Sequence, residues 1–141
     1  RRYTMSLQIG GFRPNTDSEG ALGGKTPYKD IFGTGSPYLK LTMDPANLFP
    51  AGTLPRMREI MEEAFALLGK DIALAHAKDL DHDGDAGHKA AGEGLLDYAL
   101  YMRLLRASDF RGALLLHGLS RAQVPGCVAF VREKRAQAWG G

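Results

Sequence analysis

Three side chains with ligating or proton-carrying chemistry stand directly behind short apolar runs. Asp44 follows Leu39 to Met43, His76 follows Ile72 to Ala75, and His117 follows Ala113 to Leu116. A carboxylate and two imidazoles are a donor set for a divalent cation, and the same groups can carry protons. Each position also has an ordinary alternative. Asp44 before Pro45 could close an Asx-turn, and a histidine beside apolar residues could be satisfied by a loop carbonyl. What favours chemistry is their common placement, because ligands in parallel α/β folds gather at the carboxyl ends of strands.

Further polar residues cluster around the same three points. Asn47, three residues after Asp44, is placed to reach a substrate hydroxyl, or to order its own loop. Lys78 and Asp79 follow His76; the lysine could neutralise a phosphate or an enediolate oxygen, and the aspartate could orient a neighbour. Glu93 lies between Gly92 and Gly94 just ahead of a helical pattern, where it could meet a sugar hydroxyl or favour the helix N-terminus. Two other motifs fail on their own terms. The acids of Asp79-Leu80-Asp81-His82-Asp83-Gly84-Asp85 have the opening spacing of a calcium loop, but position twelve is Ala90 rather than glutamate. Gly24-Lys25-Thr26 has Glu19 where a phosphate loop requires its first glycine.

The elements that must position these residues alternate between two periodicities. From Ser36 onward, short β-type runs are followed by segments of 3.6-residue period, the pattern of βαβ units. The strands are expected at Leu39–Met43, Ile72–Ala75 and Ala113–Leu116, the last nearly all apolar, as for a sheet covered on both faces. The first helix should bury Leu54, Met57, Ile60, Met61, Ala64, Leu67 and Leu68, with Thr53 as its cap and Gly69 as its end. The second is marked by Leu95, Tyr98, Met102 and Leu105, with Asp97 near its start, and the third begins after Ser120 with Pro125 in its first turn. Residues 1–35 are rich in glycine and read as an irregular segment, apart from a strand-like alternation at Tyr3 to Ile9. Residues 36–141 form the folded unit.

Bulk composition narrows the class. The 141 residues, 44% of them hydrophobic, suit one core. The net charge of +2 is spread along the chain without a basic face, so nucleic acid is not expected as a partner. No apolar run approaches the roughly 20 residues of a membrane span. Cys127 is the single cysteine, which excludes an internal disulfide and points to a buried thiol in a reducing, cytoplasmic setting.

Four stretches in this order resemble one family, the xylose isomerase-like sugar phosphate isomerases and epimerases. They are Leu41-Thr42-Met43-Asp44-Pro45-Ala46-Asn47-Leu48, Leu74-Ala75-His76-Ala77-Lys78-Asp79, Gly92-Glu93-Gly94-Leu95-Leu96-Asp97-Tyr98, and Phe110 through Gly118. The resemblance implies an α/β fold, a partial (β/α)8 TIM barrel made of about its last three βα units. It implies a sugar or sugar phosphate substrate and metal-assisted proton transfer through an enediolate. The ion would be manganese, magnesium, cobalt or zinc, with Asp44, His76 and His117 as its ligands. Lys78 and His117 would be catalytic, and Asn47, Lys78 and Glu93 would contact substrate. Where the family usually carries a glutamate as ligand and base, this chain has His117, a departure from ordinary two-carboxylate proton transfer. A full barrel needs about 250 residues. The chain is therefore expected to be a fragment that self-associates or lacks an N-terminal half-barrel. The alternative is a non-catalytic sugar- or metal-binding remnant of the fold.

Overall fold

In a computed structural model the chain is described at residues 5–8, 39–85 and 89–140. The parallel strands are β1 (Met5–Gln8), β2 (Leu39–Met43), β3 (Ile72–Asp79) and β5 (Ala113–Leu116), in that spatial order. A two-residue strand, β4 (Lys89–Ala90), adds antiparallel to the far end of β3. Helix α1 (Met57–Leu68) connects β2 to β3, α2 (Tyr98–Ala107) leads into β5, and α3 (Val124–Trp139) follows it. This is the repeating strand and helix order of a parallel α/β sheet, as the two periodicities require.

Strand β1 falls within the glycine-rich segment that the sequence marks as irregular, at its strand-like alternation. It pairs in parallel with β2, Met5 opposite Leu39. The remainder of residues 1–35, including Gly24-Lys25-Thr26, lies outside the described residues.

Two other expectations need correction. Strand β3 runs four residues beyond Ala75, because β4 supplies antiparallel partners for Lys78 and Asp79. His76 thus sits within a strand rather than at its tip. β5 is not covered on both faces among the described residues: Ala113 and Leu115 are exposed and Leu114 and Leu116 half-buried.

The helices bury the faces their periodicity predicts, with substitutions. On α1 the buried residues are Ile60, Met61, Ala64, Phe65 and Leu68, while Leu67, turned one step round the helix, is 60% exposed. Leu95 likewise stands outside α2 and is exposed. Thr53 does not cap α1; its hydroxyl donates to the carbonyl of Pro50. Gly69 ends α1 with ordinary right-handed dihedrals and a following 3-10 turn, so left-handed freedom is not its role. A β-carbon there would lie 2.3 Å from the Ser108 hydroxyl, which makes close packing its role. Asp97, expected near the start of α2, is its cap and accepts from the Leu100 amide at 2.8 Å. Ser120 and Gln123 form a capping box ahead of α3.

One core joins strands and helices, with Leu41, Met43, Ala75 and Ala77 from the sheet against Ile60, Met61, Tyr101, Met102 and Leu105. No helix among the described residues is long and apolar enough to cross a membrane.

Candidate functional site

Register brings the chemistry-bearing residues together. Met43 pairs with Ala75, so Asp44, one residue on, emerges beside His76. His76 pairs with Leu115, and the His117 amide donates to the Ala77 carbonyl at 3.3 Å, which sets His117 against Lys78. Strand alternation puts His76 and Lys78 on one face of β3 and Ala75, Ala77 and Asp79 on the other.

The centre of the group is one oxygen of Asp44, whose side chain is fully buried. Asp44 Oδ2 lies 2.9 Å from His76 Nδ1 and 3.0 Å from Lys78 Nζ. The His76 and Lys78 side chains are 12% and 7% exposed. Lys78 Nζ also donates to Asn47 Oδ1 at 3.2 Å. An ionised carboxylate only accepts, so His76 must present Nδ1–H to Asp44, and a neutral ring then keeps Nε2 as its acceptor. The imidazole of His117 lies parallel to that of His76, with centroids 4.9 Å apart and planes within 3°. The four residues expected at the site on β2, β3 and the loop after β2 are therefore in direct hydrogen-bonding or ionic contact, and His117, after β5, stacks on one of them.

Glu93 is the exception. Its carboxylate accepts from Gln123 Nε2 at 2.8 Å and lines a separate cavity of about 380 Å³ with Gln123, Cys127 and Phe130. None of the cluster residues lines that cavity. Burial pushes the Cys127 thiol up, which disfavours its thiolate form.

Residues that motif reading did not single out hold this arrangement in place. Tyr101 Oη donates to the carbonyl of His76 at 3.1 Å and Tyr98 Oη to that of Lys78 at 2.8 Å. Burial pushes both phenols far above their ordinary range, so they remain donors. Their spacing on α2 matches the alternate carbonyls of β3, a signal visible only once the helix and strand are known to pack. Asp79, expected as a partner that orients its neighbours, turns to the other side. It accepts from the amides of Leu80 and Leu96 at 2.9 Å and of Gly92 at 3.1 Å, tying the loop before α2 to the end of β3. Gly94 permits this approach, since a β-carbon there would lie 2.3 Å from the Leu80 carbonyl oxygen.

The donor set can be tested against a divalent ion by its geometry. Imidazole ligates through an in-plane lone pair, and parallel stacked rings send those lone pairs along separate planes. His76 and His117 as placed do not aim at one ion, and the Lys78 ammonium already lies against the oxygen of Asp44. Asp44, His76 and His117 come to one place without forming a three-donor shell, and no group of three or more such residues among the described ones makes one.

Comparison with known proteins places the fold. The sequence model of the xylose isomerase-like TIM barrel family matches residues 30–134. A xylose isomerase domain protein from Alicyclobacillus acidocaldarius subsp. acidocaldarius superposes with a TM-score of 0.60 at 14% identity, over 96% of this chain and 51% of that one. An L-ribulose 3-epimerase structure gives a TM-score of 0.43 at 19% identity, over 96% of this chain and 45% of its own. The chain thus spans about half the length of the structures it resembles. None of the curated proteins compared matches it. Its parallel sheet, the order of its strands and helices, and the family match over most of its length make this chain a member of the xylose isomerase-like TIM barrel family.

Proposed function

We propose that this chain carries part of the active site of a sugar or sugar phosphate isomerase or epimerase. The observation that carries the reading is the sharing of one buried Asp44 oxygen by His76 and Lys78, at 2.9 and 3.0 Å. A carboxylate behind an imidazole fixes its tautomer and strengthens it as a base. A buried ammonium beside it supplies positive charge where an oxyanion would develop.

In this reading the substrate carbonyl lies near Lys78, with Asn47 hydrogen-bonding a neighbouring hydroxyl. His76 Nε2 takes the proton from the carbon next to the carbonyl. The electron pair left behind moves onto the carbonyl oxygen, giving an enediolate that the Lys78 ammonium stabilises. His117, exposed and stacked on His76, is the second proton carrier. Return of the proton to the former carbonyl carbon, with the hydroxyl proton passing from one enediolate oxygen to the other, gives the isomer, and return to the opposite face of the carbon that lost it gives the epimer. The divalent ion that the family implies would polarise the same carbonyl. The residues described here do not make its shell. Glu93 takes no part in this scheme, because its carboxylate is committed to Gln123.

The test is a panel of ketose and aldose phosphates, with products resolved by chromatography. The reading predicts conversion of at least one sugar, reduced about 100-fold or more in His76→Gln and Lys78→Met, in line with the usual size of acid–base and oxyanion contributions. Binding of sugars without conversion by any folded preparation favours the non-catalytic sugar-binding module instead.

A further inference from the structure

We infer that Lys78 occupies the cation position at Asp44, so that this cluster is built around an internal ammonium rather than a divalent metal ion. A metal ion sits at roughly 2.0–2.6 Å from a carboxylate oxygen. The Lys78 ammonium lies 3.0 Å from Asp44 Oδ2, and His76 Nδ1–H approaches the same oxygen at 2.9 Å. An ion there would have to displace two donors and then share a small volume with a positive charge. Neither change is easy. Lys78 is held from both sides, by Asp44 and by Asn47 Oδ1, with its side chain 7% exposed and the carbonyl of its own residue anchored by Tyr98.

The histidines point the same way. His76 faces Asp44 through Nδ1, and the ring of His117 lies parallel to that of His76 with centroids 4.9 Å apart. With Lys78 protonated, the carboxylate is neutralised within the protein. The site then meets an incoming sugar oxygen with N–H donors rather than with an open metal coordination position. The inference concerns which cation Asp44 holds, so its readout is binding and is independent of whether the sugar chemistry above is correct.

The experiment is a titration of the metal-free protein with Mn²⁺, followed by electron paramagnetic resonance of the unbound ion, for the natural chain, Lys78→Met and Lys78→Gln. Melting curves identify the folded variants, and the two replacements cover the case in which one does not fold. Weak or undetectable binding by the natural chain, with affinity raised at least about tenfold in a folded Lys78 variant, is the result expected from removing a neighbouring positive charge. That gain must vanish when Asp44→Asn is added. Binding by the natural chain that Lys78 replacement leaves unchanged or weakens overturns the inference. So does the absence of binding in both natural and variant proteins, because the lysine would then not be what excludes the ion.

Discussion

Two regions of this chain are dense in titratable side chains, and they use them in opposite ways. In the loop from Asp81 to Asp85 the acids are close in sequence but serve separate partners. Asp81 pairs with Lys89 at 2.6 Å, Asp83 accepts from the amides of Gly52 and Leu54, and Asp85 accepts from the Asp81 amide. Residues 81 to 84 are exposed. At Asp44, His76, Lys78 and Asn47 the contacting pairs are 31 to 34 residues apart in sequence and share partners across buried contacts. Density along the chain marks a loop, whereas convergence from different strands marks a site.

That contrast can be broken most forcefully at Asp44. Replacing it with alanine leaves the Lys78 ammonium in a buried place without its carboxylate, and breaking a buried pair in this way costs about 3–5 kcal/mol. Denaturant titration should show the loss, together with partial recovery when Lys78→Met is added to Asp44→Ala. A fully additive double variant would mean that the two are not coupled.

Gly94→Ala should be the next largest, because its β-carbon meets both the Leu80 carbonyl and the Asp79 carboxylate. Overpacking of this kind costs roughly 1–3 kcal/mol. An unchanged melting midpoint would show that the loop before α2 is not clamped to β3 as described. Tyr101→Phe follows, at about 1 kcal/mol for one lost hydrogen bond. It should slow sugar conversion more than an equally destabilising change on the exposed side of α2, since it loosens the backbone at His76.

The smallest effect belongs to the acid loop and depends on pH. Backbone N–H donors from Leu54 and Gly52 hold the Asp83 carboxyl below its ordinary range. A depressed folded-state pKa contributes stability above the unfolded value and loses it as pH falls through the folded one. Asp83→Asn should therefore lower the melting temperature slightly at neutral pH, and the gap should close in acid. A gap that persists at low pH would point to packing rather than charge.

The sequence made the site more legible than its surroundings. Strands β2 and β5 were readable to the residue because one is an alternating and the other an apolar run, each bounded by turn-forming residues. The grouping of Asp44, His76, Lys78 and Asn47 was legible from their places just after the β-type runs, although His76 and Lys78 lie within β3 rather than beyond it. The length of β3 was not legible, since Lys78 and Asp79 are polar and their strand character depends on pairing with β4. The partner of Glu93 was hidden for a similar reason: Gln123 lies 30 residues away, on a turn whose position depends on how α3 packs. Asp83 stood out only as part of a calcium-like spacing, because its task is to satisfy amides of a segment 29 and 31 residues earlier.

The proton-transfer account is tested most directly by deuterium exchange. In D₂O, proton NMR of the sugar phosphate that binds best should show the signal on the carbon next to the carbonyl disappearing with the natural protein. His76→Gln and Lys78→Met should slow that loss about 100-fold or more. Retention of the proton beside a folded protein that binds the sugar, or exchange at an unchanged rate in both variants, would contradict the assignment of Asp44, His76 and Lys78 as the reacting group.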